Sequence, residues 1–163
     1  MQSKRTGTVF RIIVFALTAL AIAFAFFQSM MSAAESSAES GGVLDFVIGA
    51  FHNIGVSPKI TDHSIRKLAH FAEYFVIGGL LMSCAYSFDR FKPYRYSFQV
   101  LFTGLFTAVC DEFIQLFSYG RSGEVRDVLI DFSGVVAGSL VMLLFYSIYI
   151  KIKGKKYGTN EGS

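Results

Sequence analysis

Charge is what this chain has least of. Asp, Glu, Lys and Arg make up only 17% of its 163 residues while 53% are hydrophobic, too few charges to wrap a water-soluble core of this size. Tryptophan is absent, so any aromatic belt at a membrane surface has to be tyrosine. Cysteine occurs twice, at Cys84 and Cys110. The two fall at different depths of different hydrophobic runs, which excludes a disulfide and leaves two small buried apolar groups. No G-x-S-x-G nucleophile turn, phosphate-cradling glycine loop or internal repeat is present, so the common hydrolase and nucleotide-binding signatures are missing.

Long apolar runs are what remains. One crossing of the hydrocarbon core takes about 20 mostly apolar residues, and four stretches qualify: 9–31, 65–87, 97–118 and 127–150. They predict an all-α integral membrane protein, a bundle of about four transmembrane helices with a short outer interfacial helix. The chain divides into residues 1–31 (N-terminus and first span), 32–63 (external linker), 64–150 (three-helix core) and 151–163 (basic tail). Within the linker, "SAAESSAESGG" is acidic and flexible, and "VLDFVIGAFHNIGV" at 43–56 is apolar but too short to span, as an interfacial helix would be. The N-terminal run has a rival reading as a secretory signal with small residues after it, although it exceeds the usual length of a signal's apolar core. Ser64 is expected to cap the second span.

Basic residues cluster at 4–11, at 90–95 and at 151–156, whereas 32–62 is mostly acidic. The positive-inside rule then places both termini in the cytoplasm of a multi-pass protein. The positive charge is thus a topology signal, and nucleic acid is not an expected partner. Tyr86, Tyr94, Tyr96, Tyr119, Tyr146 and Tyr149 lie near the proposed boundaries, as a belt would.

Ionisable residues within spans are rare and face a protein interior or a wet cavity. At 100° per residue, the second span puts His63, Arg66, Lys67, His70, Glu73 and Tyr74 on one face and Leu68, Ala72, Phe75, Val76 and Gly79 on the other. The third aligns Gly104, Ala108, Asp111 and Gln115, with Glu112 at the margin and Phe102, Phe106, Val109, Phe113, Leu116 and Phe117 opposite. The fourth aligns Asp127, Asp131, Gly134 and Gly138. In this topology His70 and Asp111 each lie about 10 Å below the outer surface, so three polar faces meet at one level. Gly104–Ala108 and Gly134–Gly138 read as close-packing stripes, and Tyr74 and Gln115 as packing or hydrogen-bond residues. A Lys67–Asp111 or Lys67–Glu73 pair could staple the bundle, with Arg121 and Arg126 available to Asp131. The surplus of carboxylates goes beyond what stapling needs and favours a pocket.

His70, Glu73, Asp111 and Glu112 are the candidates for acid–base chemistry, and no catalytic residue is assigned among them. The same side chains with Asp131 could in principle ligate a divalent metal. Lys67 on that face speaks against it, so no metal or other cofactor is expected. His52 and His63 read as interfacial residues.

"KLAHFAEYFVIGGLL" and "DEFIQLFSYGRSGEVRDVLIDFSGVVAG" together resemble the VanZ-like membrane family. The resemblance rests on Lys67, His70, Tyr74, Asp111, Glu112, Gln115, Phe117, Arg121, Asp127, Gly134 and Gly138, across residues 64–140. Asp131 stands where the family pattern has Asn, and the proline before the loop arginine is replaced in "SYGR". The resemblance implies a bacterial plasma-membrane protein of the cell envelope, associated with resistance to teicoplanin. The residues add a pocket in the outer leaflet formed by Lys67, His70, Glu73, Tyr74, Asp111, Glu112, Gln115, Arg121, Arg126, Asp127 and Asp131. Its expected partners are the lipid bilayer and a lipid-linked envelope precursor or lipoglycopeptide. A membrane-embedded hydrolase or transferase acting on such a precursor is the alternative.

Overall fold

The computed structural model describes residues 5–32, 61–120 and 123–158, without side-chain placement at 62, 63 and 154–158. The expected interfacial helix, His52 and Arg121 lie outside the described residues, as does the side chain of His63. Four helices carry the fold: α1 (Thr8–Met30), α2 (Asp62–Phe88), α3 (Ser97–Gln115) and α4 (Val125–Gly158). All four contain a stretch long and apolar enough to cross a membrane, and no strand occurs among the described residues. The chain is a multi-pass membrane protein.

Local chemistry sets the helix ends. Thr61, not Ser64, caps α2: its backbone is extended and its hydroxyl accepts the Ser64 N–H at 3.3 Å. Ser64 is already helical and therefore serves as donor. Beyond α2, the Asp89 carboxylate accepts the N–H groups of Phe91 and Lys92, each at 3.1 Å. That Asx-type turn leads into a 3-10 turn at Pro93–Tyr96, where proline's missing donor costs nothing. α3 stops at Gln115, short of the expected 118, because the N–H groups of Phe117 and Ser118 tighten onto Ile114 and Gln115. Gly120 then reverses the chain with φ of 75°, a left-handed conformation glycine adopts without penalty.

The α2–α4 seam is where backbones touch. A Cβ added at Gly78 would strike the Val135 carbonyl, at Gly134 the Phe71 carbonyl, and at Gly138 the Phe75 carbonyl. Lipid tails are as apolar as leucine, so helices gain little by hiding from them and instead gain dispersion and hydrogen bonds by close approach. Ser139 donates to the Gly78 carbonyl at 3.2 Å and Tyr146 to the Ser83 hydroxyl at 3.0 Å along the same seam. The face of α2 carrying Phe75 and Gly79, simply the non-polar side on a helical wheel, is therefore the α4 contact. Leu68 and Val76 are exposed and meet lipid. The tyrosine belt is likewise partial: Tyr86 and Tyr146 are buried and stacked, ring centroids 3.9 Å apart, while Tyr94, Tyr119 and Tyr149 are exposed.

α3 joins this pair through Gly104, whose Cα faces the Val135 side chain, and through buried Ala108. Phe102, Phe106, Val109 and Phe113 of α3, and Leu116 and Phe117 just beyond it, are exposed, as their shared face requires. α1 contributes a narrow seam of Val14, Thr18, Ala25 and Ser29. Thr18 contacts Cys84 at 3.3 Å, and the Ser29 carbonyl accepts the Ser118 hydroxyl at 2.7 Å. α1 thus ties the far end of α2 to the last turn of α3. Both cysteines are free thiols.

Candidate functional site

The start of α2, the end of α3 and the start of α4 meet at one end of the bundle, and the polar residues meet with them. Lys67 Nζ lies 2.8 Å from Asp127 Oδ1, an ion pair between the second turn of α2 and the first turn of α4. One helical turn deeper, His70 Nδ1 lies 4.0 Å from Asp111 Oδ2 and 3.8 Å from Asp131 Oδ1. His70 sits between two carboxylates on two other helices. Asp111 and Asp131 are 0% and 1% exposed, so neither charge reaches solvent or headgroups directly.

The close α2–α4 approach explains this placement. Gly134 admits α2 to the α4 backbone one turn below Asp131, which brings His70 and Asp131 to the same level. On α3, Gln115 donates to Asp111 Oδ2 at 3.2 Å, closing an i, i+4 pair. Glu112 turns the other way, and its Oε1 accepts the backbone N–H of Glu124. It is buried rather than marginal and ties α3 to the loop before α4. Tyr74 is fully buried, with its hydroxyl donating to the Thr107 carbonyl at 3.4 Å.

The charges within this cluster do not balance by themselves. Among the described residues, Asp111, Glu112, Asp127 and Asp131 face one lysine, and that lysine is committed to Asp127. A charge at the bilayer centre costs about 2.5–3.5 kcal/mol on insertion scales, so protons, a bound cation or a further basic side chain must supply the difference. Both oxygens of Asp131 lack a hydrogen-bond partner among the described residues, as does Oε2 of Glu112. A cluster arranged only as a structural staple would satisfy these atoms.

Of the residues the sequence picks out, Lys67, His70, Asp111, Gln115, Glu112, Asp127 and Asp131 come together. Lys67 pairs with Asp127, not with Asp111 or Glu73, because neighbours along α2 matter less than the register α4 adopts. Asp131 faces His70 rather than Arg126, which is exposed. Arg66 and Glu73 are half-buried at the margin. Sequence reasoning misses Ser29, which is fully buried and accepts from Gln115 Nε2 at 3.5 Å, and the Thr107 carbonyl that holds Tyr74. Only the small and hydroxyl residues Thr18, Ala25 and Ser29 in α1 could have signalled the first of these.

The Lys67–Asp127 pair is about three-quarters buried, which makes it testable as a unit. Lys67→Met or Asp127→Asn alone should each destabilise by roughly 1–3 kcal/mol, leaving a partly buried partner unpaired. The double variant should recover much of that loss in denaturant unfolding of the detergent-solubilised protein. Strictly additive losses would show that the pair contributes nothing as a pair.

A family model described as VanZ/LLP1 matches residues 13–146, which takes in α1 through most of α4. No curated protein and no solved structure matches the chain.

Proposed function

The chain belongs to the VanZ/LLP1 family, and from that premise we propose that its buried cluster is a binding pocket for the polar head of an amphiphilic envelope molecule. The observation that carries the reading is the convergence of Lys67, His70, Asp111, Asp127 and Asp131 from three helices, with the buried oxygens of Asp131 left unsatisfied among the described residues. Arg90, Lys92 and Arg95 at the opposite end support an orientation with the cluster in the outer leaflet of a bacterial plasma membrane and the termini in the cytoplasm. An acyl chain fits against the phenylalanine-rich face of α3, while Arg121 and Arg126 meet an anionic or hydrogen-bonding head beside the Lys67–Asp127 pair. On this reading the protein lowers susceptibility to lipoglycopeptides such as teicoplanin by engaging the drug or the lipid-linked precursor it targets.

Susceptibility is the test. Expression of the wild-type chain should raise the inhibitory concentration of teicoplanin, and Lys67→Ala and Asp111→Asn should return it to the vector level at equal protein abundance. Full protection by both variants would remove the pocket from the mechanism. A second reading, a hydrolase or transferase acting on a lipid-linked precursor, draws on His70 standing between two carboxylates, an arrangement suited to general acid–base work. It requires turnover of such a lipid by the purified protein that His70→Ala abolishes.

A further inference from the structure

We propose that His70, Asp111 and Asp131 form a divalent-cation site within the membrane, suited to Mn2+ or Zn2+. The three side chains come from α2, α3 and α4, and each offers a ligand atom, all within 4.8 Å of one another. The two separations from His70 Nδ1, 4.0 and 3.8 Å, are too long for hydrogen bonds. They are the right size for something between the groups. With those two separations and the third within 4.8 Å, a point equidistant from the three donors lies no more than about 2.5 Å from each, a metal-to-ligand distance for a divalent ion. Slight contraction brings it to the shorter bonds of zinc.

An independent observation points to the same place. Asp131 is 1% exposed and neither of its oxygens has a hydrogen-bond partner among the described residues, while Oδ1 points at His70. A buried carboxylate in that state costs more than its mutation to an apolar residue would. A doubly charged cation neutralises Asp111 and Asp131 together, which removes most of the charge imbalance and gives a buried Asp131 oxygen a partner. The sequence-based objection, repulsion by Lys67, does not apply: its ammonium is 2.8 Å from Asp127 and its charge is already compensated. One imidazole with two carboxylates is a mixed N/O donor set, which favours Mn2+ or Zn2+ over Mg2+ or Ca2+, since the latter prefer oxygen alone. Gln115, donating to Asp111 Oδ2, fixes that carboxylate from outside the triad.

The full-length protein, reconstituted in lipid nanodiscs and stripped with chelator, would be dialysed separately against Mn2+ and Zn2+. Bound metal is counted by elemental analysis, with empty nanodiscs as background. The expected result is one ion per chain. Co2+ at the site should give visible absorption bands of a coordinated ion. Asp131→Asn, which keeps shape, and His70→Ala should weaken binding more than roughly 100-fold, beyond what partners that do not touch a metal contribute. Lys151→Gln, at the other end of α4, should bind as wild type does. Wild-type protein holding no metal above background overturns the proposal, as does binding by both site variants at wild-type affinity. No amphiphile is present in the assay, so a negative result leaves the lipid-binding reading standing.

Discussion

Gly138→Ala is expected to destabilise the bundle by about 3 kcal/mol, although alanine is the better helix former by about 1 kcal/mol. The methyl group would be driven into the Phe75 carbonyl, with the Gly79 backbone close behind it. Neither obstacle is the flexible end of a side chain, so α2 and α4 must separate, and dispersion attraction weakens along the whole seam. Gly79→Ala provides the graded comparison: its Cβ would meet Met142 Cγ at 3.2 Å, a flexible neighbour that can yield, and the loss should stay under about 1 kcal/mol. Gly7→Ala, with nothing within 4 Å, should lose only what a weaker N-cap of α1 costs, under about 1 kcal/mol. Denaturant unfolding in a fixed detergent ranks the three. A neutral Gly138→Ala would mean that the backbones do not pack as described.

Because His70 and Asp131 lie on those two helices, the same substitution should also pull the site apart. On the proposed function, it should therefore reduce teicoplanin protection without touching a polar residue. Separating α2 from α4 by even about 1 Å widens the 3.8 Å gap between His70 and Asp131 and strains the Lys67–Asp127 pair. Stability and site geometry are linked through the glycines.

Tyr74→Ala is the second large effect, with an expected loss of about 3 kcal/mol. In a bilayer the reference state is lipid rather than water, so little of the usual hydrophobic transfer term applies. What remains is the cavity left by a fully buried ring and the dispersion attraction its neighbours forfeit. Tyr74→Phe should cost no more than about 1 kcal/mol, since the hydroxyl bond to the Thr107 carbonyl is long at 3.4 Å. On the proposed function, a Tyr74→Phe protein that retains stability but loses protection against teicoplanin would place the hydroxyl in the proposed pocket itself. If both properties survive, Tyr74 is purely a packing residue.

Much of the fold is legible because a membrane simplifies the code. Every span must satisfy its own backbone, which makes helices the only option for an open chain. The four apolar runs then set the number of elements and most of their bounds. In α3 the wheel separates Asp111 and Gln115 from four outward-facing apolar residues, Phe102, Phe106, Val109 and Phe113, and all of them fall on the sides expected. In α2 it fails, because both of its faces are used: one carries His70 toward α3 and α4, and the other brings Gly78 and Gly79 against α4. A two-sided helix has no single periodic stripe to read.

Tyr86 and Tyr146 depart from expectation for a similar reason. Position near a boundary does not decide whether a ring faces headgroups or a neighbouring ring, and these two stack inside the bundle. A wheel puts Glu112 at a margin because it registers angle alone, whereas the loop before α4 folds back to give it the Glu124 N–H.

The sequence by itself determined that this is a multi-pass helical membrane protein, which residues of α3 face lipid, and that carboxylates and a histidine share one depth. Those follow from hydropathy, helical period and rise, all of which are local. Only the tertiary structure decided the partners: Lys67 with Asp127, His70 between Asp111 and Asp131, and Ser29 of α1 beside Gln115. Pairing depends on the rotation and offset of one helix against another. Here backbone contacts at Gly78, Gly134 and Gly138 set both.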